Sequence, residues 1–181
     1  MLRTLPLLLA VLFAAPALAQ LPSPGPGGYA EEGRDFGVPV QAIVHQGPPH
    51  APTPLSLPGA TTIATTDLYA KLMARQPVVL IYVNETGDAI QGSHWLYGAG
   101  RGTGFDDAIE ERLRRKLEQL TQGNRNAAIV TYCFDSHCWL SYNAALRAAQ
   151  LGYRNVYWYR GGREAWRTAG LPLAPVAQEG W

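Results

Sequence analysis

Past residue 60 the chain alternates between two kinds of apolar spacing. Val78 to Val83 is an unbroken apolar run, as expected for a strand buried on both faces. Ala127 to Tyr132 reads as a second strand, and Asn155 to Tyr159 is a third stretch of β-branched and aromatic residues. Between them the period changes to that of helices. From Asp106 to Leu120, Ile109, Leu113, Leu117 and Leu120 share one stripe, and Glu110/Arg114 and Glu111/Arg115 stand four apart on the outer side. Ser141 to Leu151 reads as an Ala-rich helix stopped by Gly152. Thr66-Asp67 offers an N-cap and an early negative charge for a short helix carrying Leu68, Leu72 and Met73, which Pro77 ends. Gly161-Gly162 opens a last short helix through Trp166, closed by Gly170 and Pro172. Strands alternating with helices predict an α/β fold: a mainly parallel sheet flanked by helices on both faces.

The first third of the chain has neither period. Residues 1–19 read as a signal peptide: Arg3, an apolar run from Leu5 to Leu18, and the small-x-small end Ala17-Leu18-Ala19. That run contains Pro6 and Pro16 and is shorter than the ~20 residues of a membrane span. Cleavage before Gln20 and residence in the periplasm are expected, an uncleaved anchor being the alternative. Residues 20–59 are dense in Pro and Gly, from Pro22 to Pro54, which excludes helix and strand. They form either an extended arm anchored by Tyr29, Phe36, Val38 and Val40 or a plain linker. The domain proper is placed at 60–176.

Composition adds exclusions. At 181 residues, 47% hydrophobic and 16% charged, the chain supports one ordinary core and is not a disordered polyelectrolyte. Lys plus Arg number 15 against 14 Asp plus Glu, so no electrostatic footprint for nucleic acid is expected. The Gly98 to Gly104 stretch follows no strong strand and is a poor nucleotide fingerprint. Two cysteines without clustered histidines make no zinc site, and no C-x-x-C-H haem motif is present.

Candidate chemistry gathers at Cys133, directly after a predicted strand and shortly before a helix. Ligands in open α/β sheets bind at the carboxyl ends of strands. A loop entering a helix can aim backbone N–H groups at an anion, and these lower a thiol's pKa. A buried structural Cys is the competing reading. Cys138 lies in the same loop, and an oxidising compartment favours joining the two. A curled loop brings their Cα atoms within the ~4.4–6.8 Å that a disulfide requires. Phe134, Asp135, Ser136, His137 and Trp139 would line the pocket, with His94 opposite. His137 reads more simply as solvated than as a thiolate's partner, and Trp139, Trp158 and Trp166 read as core rather than as a cofactor platform. His45 and His50 sit in the Pro-rich arm, apart from any cluster.

The stretch from Tyr132-Cys133 through Asn143-Ala144-Ala145, Leu151-Gly152-Tyr153, Asn155-Val156-Tyr157, Gly161-Gly162 and Ala165-Trp166 to Ala169-Gly170-Leu171-Pro172-Leu173 resembles a rhodanese-like domain. Cys138-Trp139, Ser141, Tyr157-Trp158-Tyr159, Gly28-Tyr29 and His94-Trp95-Leu96-Tyr97-Gly98 resemble its exported subgroup associated with pyrroloquinoline quinone (PQQ)-dependent catabolism. The resemblance implies that Cys133 carries a persulfide sulfur, with no other covalent cofactor, and that Cys138 is a resolving thiol. It implies a partner too: a PQQ-dependent dehydrogenase or its c-type cytochrome. Ser136 replaces the family's usual loop Gly, Cys138 stands near its usual Arg, and Asp135 adds negative charge. Poor thiosulfate:cyanide transfer is therefore expected. Two functions follow: sulfur transfer or thiol–disulfide exchange at Cys133, or a non-catalytic docking module with the cysteine pair as a structural disulfide.

Overall fold

The computed structural model describes residues 29–85 and 87–181. The signal-peptide reading and the Gly28 part of the family resemblance lie outside the described residues, as does the side chain of Tyr29. A 3-10 turn at Tyr29–Gly33 precedes an extended segment that runs to residue 60. The elements that follow are β1 (Thr61–Thr62), α1 (Thr65–Met73), β2 (Val78–Tyr82), β3 (Asp88–Ala89), β4 (His94–Trp95) and α2 (Ala108–Thr121). After them come β5 (Ala128–Tyr132), α3 (Trp139–Gln150), β6 (Asn155–Tyr159), α4 (Gly162–Thr168) and β7 (Ala174–Pro175).

The five-stranded sheet has the order β1-β6-β5-β2-β4, with every pairing parallel, and β3 and β7 form a small antiparallel pair. Side-chain alternation along the strands separates two cores. Ile81, Val83, Ile129, Val156 and Trp158 pack with Leu113 and Leu117 of α2 and Trp139 to Ala148 of α3. Leu80, Tyr82, Val130, Tyr132 and Tyr159 pack on the other face with Leu68 of α1 and Ala165 and Trp166 of α4. The α/β fold with helices on both faces is as expected.

Helix ends hold the corrections. α1 begins at Thr65, and its N-cap residue Ala64 supplies no side-chain bond. Glu32 caps it from the extended segment instead: Thr65 N–H donates to both carboxylate oxygens at 3.0 Å, and Thr65 Oγ1 donates at 2.7 Å. Met73 is 57% exposed rather than core-facing. In α2, Arg115 pairs with Glu111 as the spacing predicts, but Arg114 pairs with Glu111 and Glu118, not Glu110. Glu110 is buried and faces Arg147 of α3, which also meets Asp107, the N-cap of α2, at 2.8 Å. In the glycine-rich stretch, Gly100 lies so close to the Leu140 carbonyl that a Cβ would collide with it. Its own carbonyl accepts from Asn143 at 2.9 Å. Those glycines seat a loop against α3.

Candidate functional site: a strapped disulfide

β5 ends at Tyr132, and Cys133 is the next residue; Cys138 is the N-cap residue of α3. The loop between them curls, bringing the two Cα atoms to 6.1 Å, and the cysteines are joined in a disulfide. The carbonyls of Cys133 and Phe134 accept from Arg163 and Glu164 N–H at 3.0 and 2.9 Å, which moors the loop to the start of α4. Gly162, with φ of +61°, lies against those two carbonyls, so a side chain there would push the loop away.

The loop amides do not all converge on an anion. His137 N–H donates to Asp135 Oδ1, Cys138 N–H to Asp135 O, and Trp139 N–H to Pro49 O. Three amides expected in a nest are spent within the protein. Asp135 Oδ1, accepting from His137 N–H, closes an Asx-type turn inside the loop.

What covers the loop is the Pro-rich segment, over its described residues. Pro49 to Ala51 lies antiparallel to His137 to Trp139. Trp139 N–H donates to Pro49 O at 3.0 Å, Ala51 N–H donates to His137 O at 2.8 Å, and His50 stands in bridge register with Cys138. Thr53 Oγ1 donates to Ser136 O at 2.6 Å. Further back, Asn143 exchanges two bonds with the backbone of His45, and Tyr142 OH does the same with Gln41. Both sulfur-bearing residues are consequently shut in, Cys133 at 0% and Cys138 at 5% exposure.

Anchors of this strap differ from those expected. Phe36 packs on the His137 ring at 4.7 Å, and Val38 touches the core, but Val40 is half exposed. Val44, Thr53, Pro54 and Leu57 are the buried positions. Arg160, directly after β6, is the main clamp and was not singled out by sequence. Its guanidinium donates to Thr53 Oγ1 and Thr53 O at 3.0 Å each and to the carbonyls of Glu31 and Glu32 at 3.2 and 2.7 Å. The available signal was a charge breaking an aromatic run just before Gly161-Gly162.

Phe134, Asp135 and His137 are partly exposed around the loop, and Ser136 and Trp139 are buried. Trp139 lies in the α3 core with the His45 ring stacked on it at 3.8 Å. Both histidines of the strap thus meet the loop, since His50 lies 3.9 Å from Asp135. His94 does not line the loop from across a pocket: it sits on edge strand β4, with β2 between it and β5, and pairs with Glu179 of the C-terminal tail at 2.7 Å. A small cavity of about 170 Å³ lies beside α3, bounded by His45, Pro49, Gly100, Arg101, Trp139 and Asn143, without either cysteine.

Comparisons with known proteins address the fold. Residues 65–169 match the family model described as the rhodanese-like domain. None of the curated proteins compared matches the chain. Among solved structures, the chain is similar to a thiosulfate sulfurtransferase from Pseudomonas aeruginosa, with 19% identity, a TM-score of 0.49 and 66% of this chain covered. It spans only 21% of that protein's length. A full-length protein from Lactobacillus plantarum is similar at 17% identity and TM-score 0.48, over 65% of this chain and 88% of that one. A yeast protein tyrosine phosphatase of the rhodanese family is similar at 20% identity and TM-score 0.48, over 62% and 88%. The family model takes in the sheet's central strands, the cysteine loop and all four helices, more than half the chain, and the protein belongs to the rhodanese-like domain family.

Proposed function

We propose that this is an exported, periplasmic rhodanese-like protein whose Cys133–Cys138 pair cycles between disulfide and dithiol. It acts by thiol–disulfide exchange or sulfur transfer at Cys133, as an accessory to PQQ-dependent alcohol oxidation. One observation carries the proposal: the residue at the family's sulfur-carrying position is bonded to a second cysteine that opens the next helix. A thiol of a partner opens such a bridge by attacking one sulfur and expelling the other as a thiolate. Cys133 freed in this way stands at a strand end beside the start of α4. A PQQ dehydrogenase or its c-type cytochrome is the partner that the exported subgroup's motif supports.

The burial of both cysteines favours a second reading, in which the bridge is a permanent staple and the domain a docking module. Alkylation of the reduced protein at neutral pH separates them. The exchange reading expects Cys133 to label first, loss of exchange in Cys133→Ser, and only weak thiosulfate:cyanide transfer because of Asp135 and Ser136. Faster labelling of Cys138, or a bridge that resists dithiothreitol, contradicts it.

A further inference from the structure

The strap segment Pro49–Ala51 is bonded to the disulfide loop as one strand is bonded to another. It accepts from Trp139 N–H through Pro49 O and donates from Ala51 N–H to His137 O, and His50 stands opposite Cys138. These are backbone bonds that any extended chain could make in the same register, and side-chain identity is free at the central position. His50 makes little use of that position: its side chain is 68% exposed and its nearest charged partner, Asp135, is 3.9 Å away.

The strap also sits at a cost. Trp139 Nε1 is buried beneath it without a hydrogen-bond partner. An unpaired buried donor costs roughly 1–3 kcal/mol, which hydration on strap opening returns. Val40 and Ile43, 50% and 66% exposed, add no burial that holds it down. Gln46 to His50 are exposed throughout. Between its anchors at Val44–His45 and Thr53, the Pro49–Ala51 stretch is therefore held to the loop mainly by two backbone hydrogen bonds, each replaceable by an incoming chain.

We propose that Pro49–Ala51 is a built-in stand-in for the protein's redox partner, and that the partner presents an extended peptide segment carrying a cysteine in the place of His50. This rests on the exchange reading above and names its partner chemistry. On docking, the peptide displaces the strap and takes over the bonds to Trp139 N–H and His137 O. Its thiolate attacks Cys138 Sγ, forming a peptide–Cys138 disulfide while the Cys133–Cys138 bond breaks and Cys133 leaves as a thiolate. No other oxidant or reductant is consumed: two sulfurs exchange partners, and the thiolate charge moves from peptide to Cys133.

The test uses the oxidised mature protein, its Ala51→Pro variant, which lacks the N–H donated to His137, and Thr53→Val as a second loosening of the strap. The probe is the reduced peptide Gly-Pro-Pro-Cys-Ala-Pro-Thr, the strap's own sequence with Cys in place of His50. A control peptide carries Pro in place of Ala and so lacks the donor. Loosening the strap is expected to raise the rate of bridge opening by both dithiothreitol and peptide by roughly fivefold, the worth of one net hydrogen bond. The control peptide should be slower than the probe by a similar factor on the variants, and peptide mapping should find the adduct on Cys138. Equal rates in wild type and variants, equal peptides, or an adduct on Cys133 overturns the stand-in. Failure of every thiol to open the bridge in all three proteins overturns the exchange reading itself.

Discussion

Arg160 shows how much one side chain decides. It is buried at 1% exposure, and its charge is met by carbonyls of Glu31, Glu32 and Thr53 and by the Thr53 hydroxyl, which in turn holds Ser136 O. Burial weakens its hold on its proton, opposed by the nearby carboxylates of Asp35, Glu31 and Glu32. A guanidinium spans residues 31–32 and 53 at once because its donors form a fixed fork, which an ammonium cannot copy. Arg160→Met is expected to cost about 3 kcal/mol, since several buried acceptors lose their donor together. Arg160→Lys should recover only part of that in urea unfolding. A Lys variant as stable as wild type would show that charge alone, not the fork, holds the strap.

At the scale of elements, the strands were legible because two-sided burial leaves apolar runs, unbroken in Val78–Tyr82 and interrupted only by Thr131 in Ala128–Tyr132, and both appear within a residue of where the pattern puts them. The strap was legible only as one of two open readings, an arm or a linker. Its order comes from long-range backbone bonds, such as His45 N–H to Asn143 Oδ1 across a sequence separation of 98, and backbone donors leave no mark in residue type. The cap of α1 was misassigned for a related reason, because Glu32 supplies it from 33 residues away. His94 was placed by the neighbourhood of its motif, and only the return of the C-terminal tail to Trp95 shows where its ring is engaged.

The strap carries a pH dependence. Burial against Trp139 lowers the His45 pKa below 6.5, partly offset by a backbone bond to Pro48. Folding then disfavours the protonated ring. The strapped state is fully stable above pH 6.5 and weakens as pH falls through that value, because the unfolded chain takes up the proton first. His45→Phe keeps the stack and removes the titration. Urea midpoints measured between pH 8 and pH 5 should fall less in that variant than in wild type. Parallel curves would show that His45 does not report the strap.

Across the whole molecule, one chemical feature sits where the architecture converges. The central strand β5 delivers Cys133 to the carboxyl end of the sheet, α3 starts from Cys138, α4 moors the loop, and the N-terminal arm closes over it. No helix among the described residues is long and apolar enough to cross a membrane. Here the fold encloses a bridge beneath a strap. The central proposal is that this bridge is a working redox couple rather than a staple. The most direct measurement is its midpoint potential, taken on the mature protein equilibrated in glutathione and dithiothreitol buffers. A working couple is expected above about −300 mV, within reach of exchange partners, whereas a value well below that contradicts the proposal and makes the bridge structural.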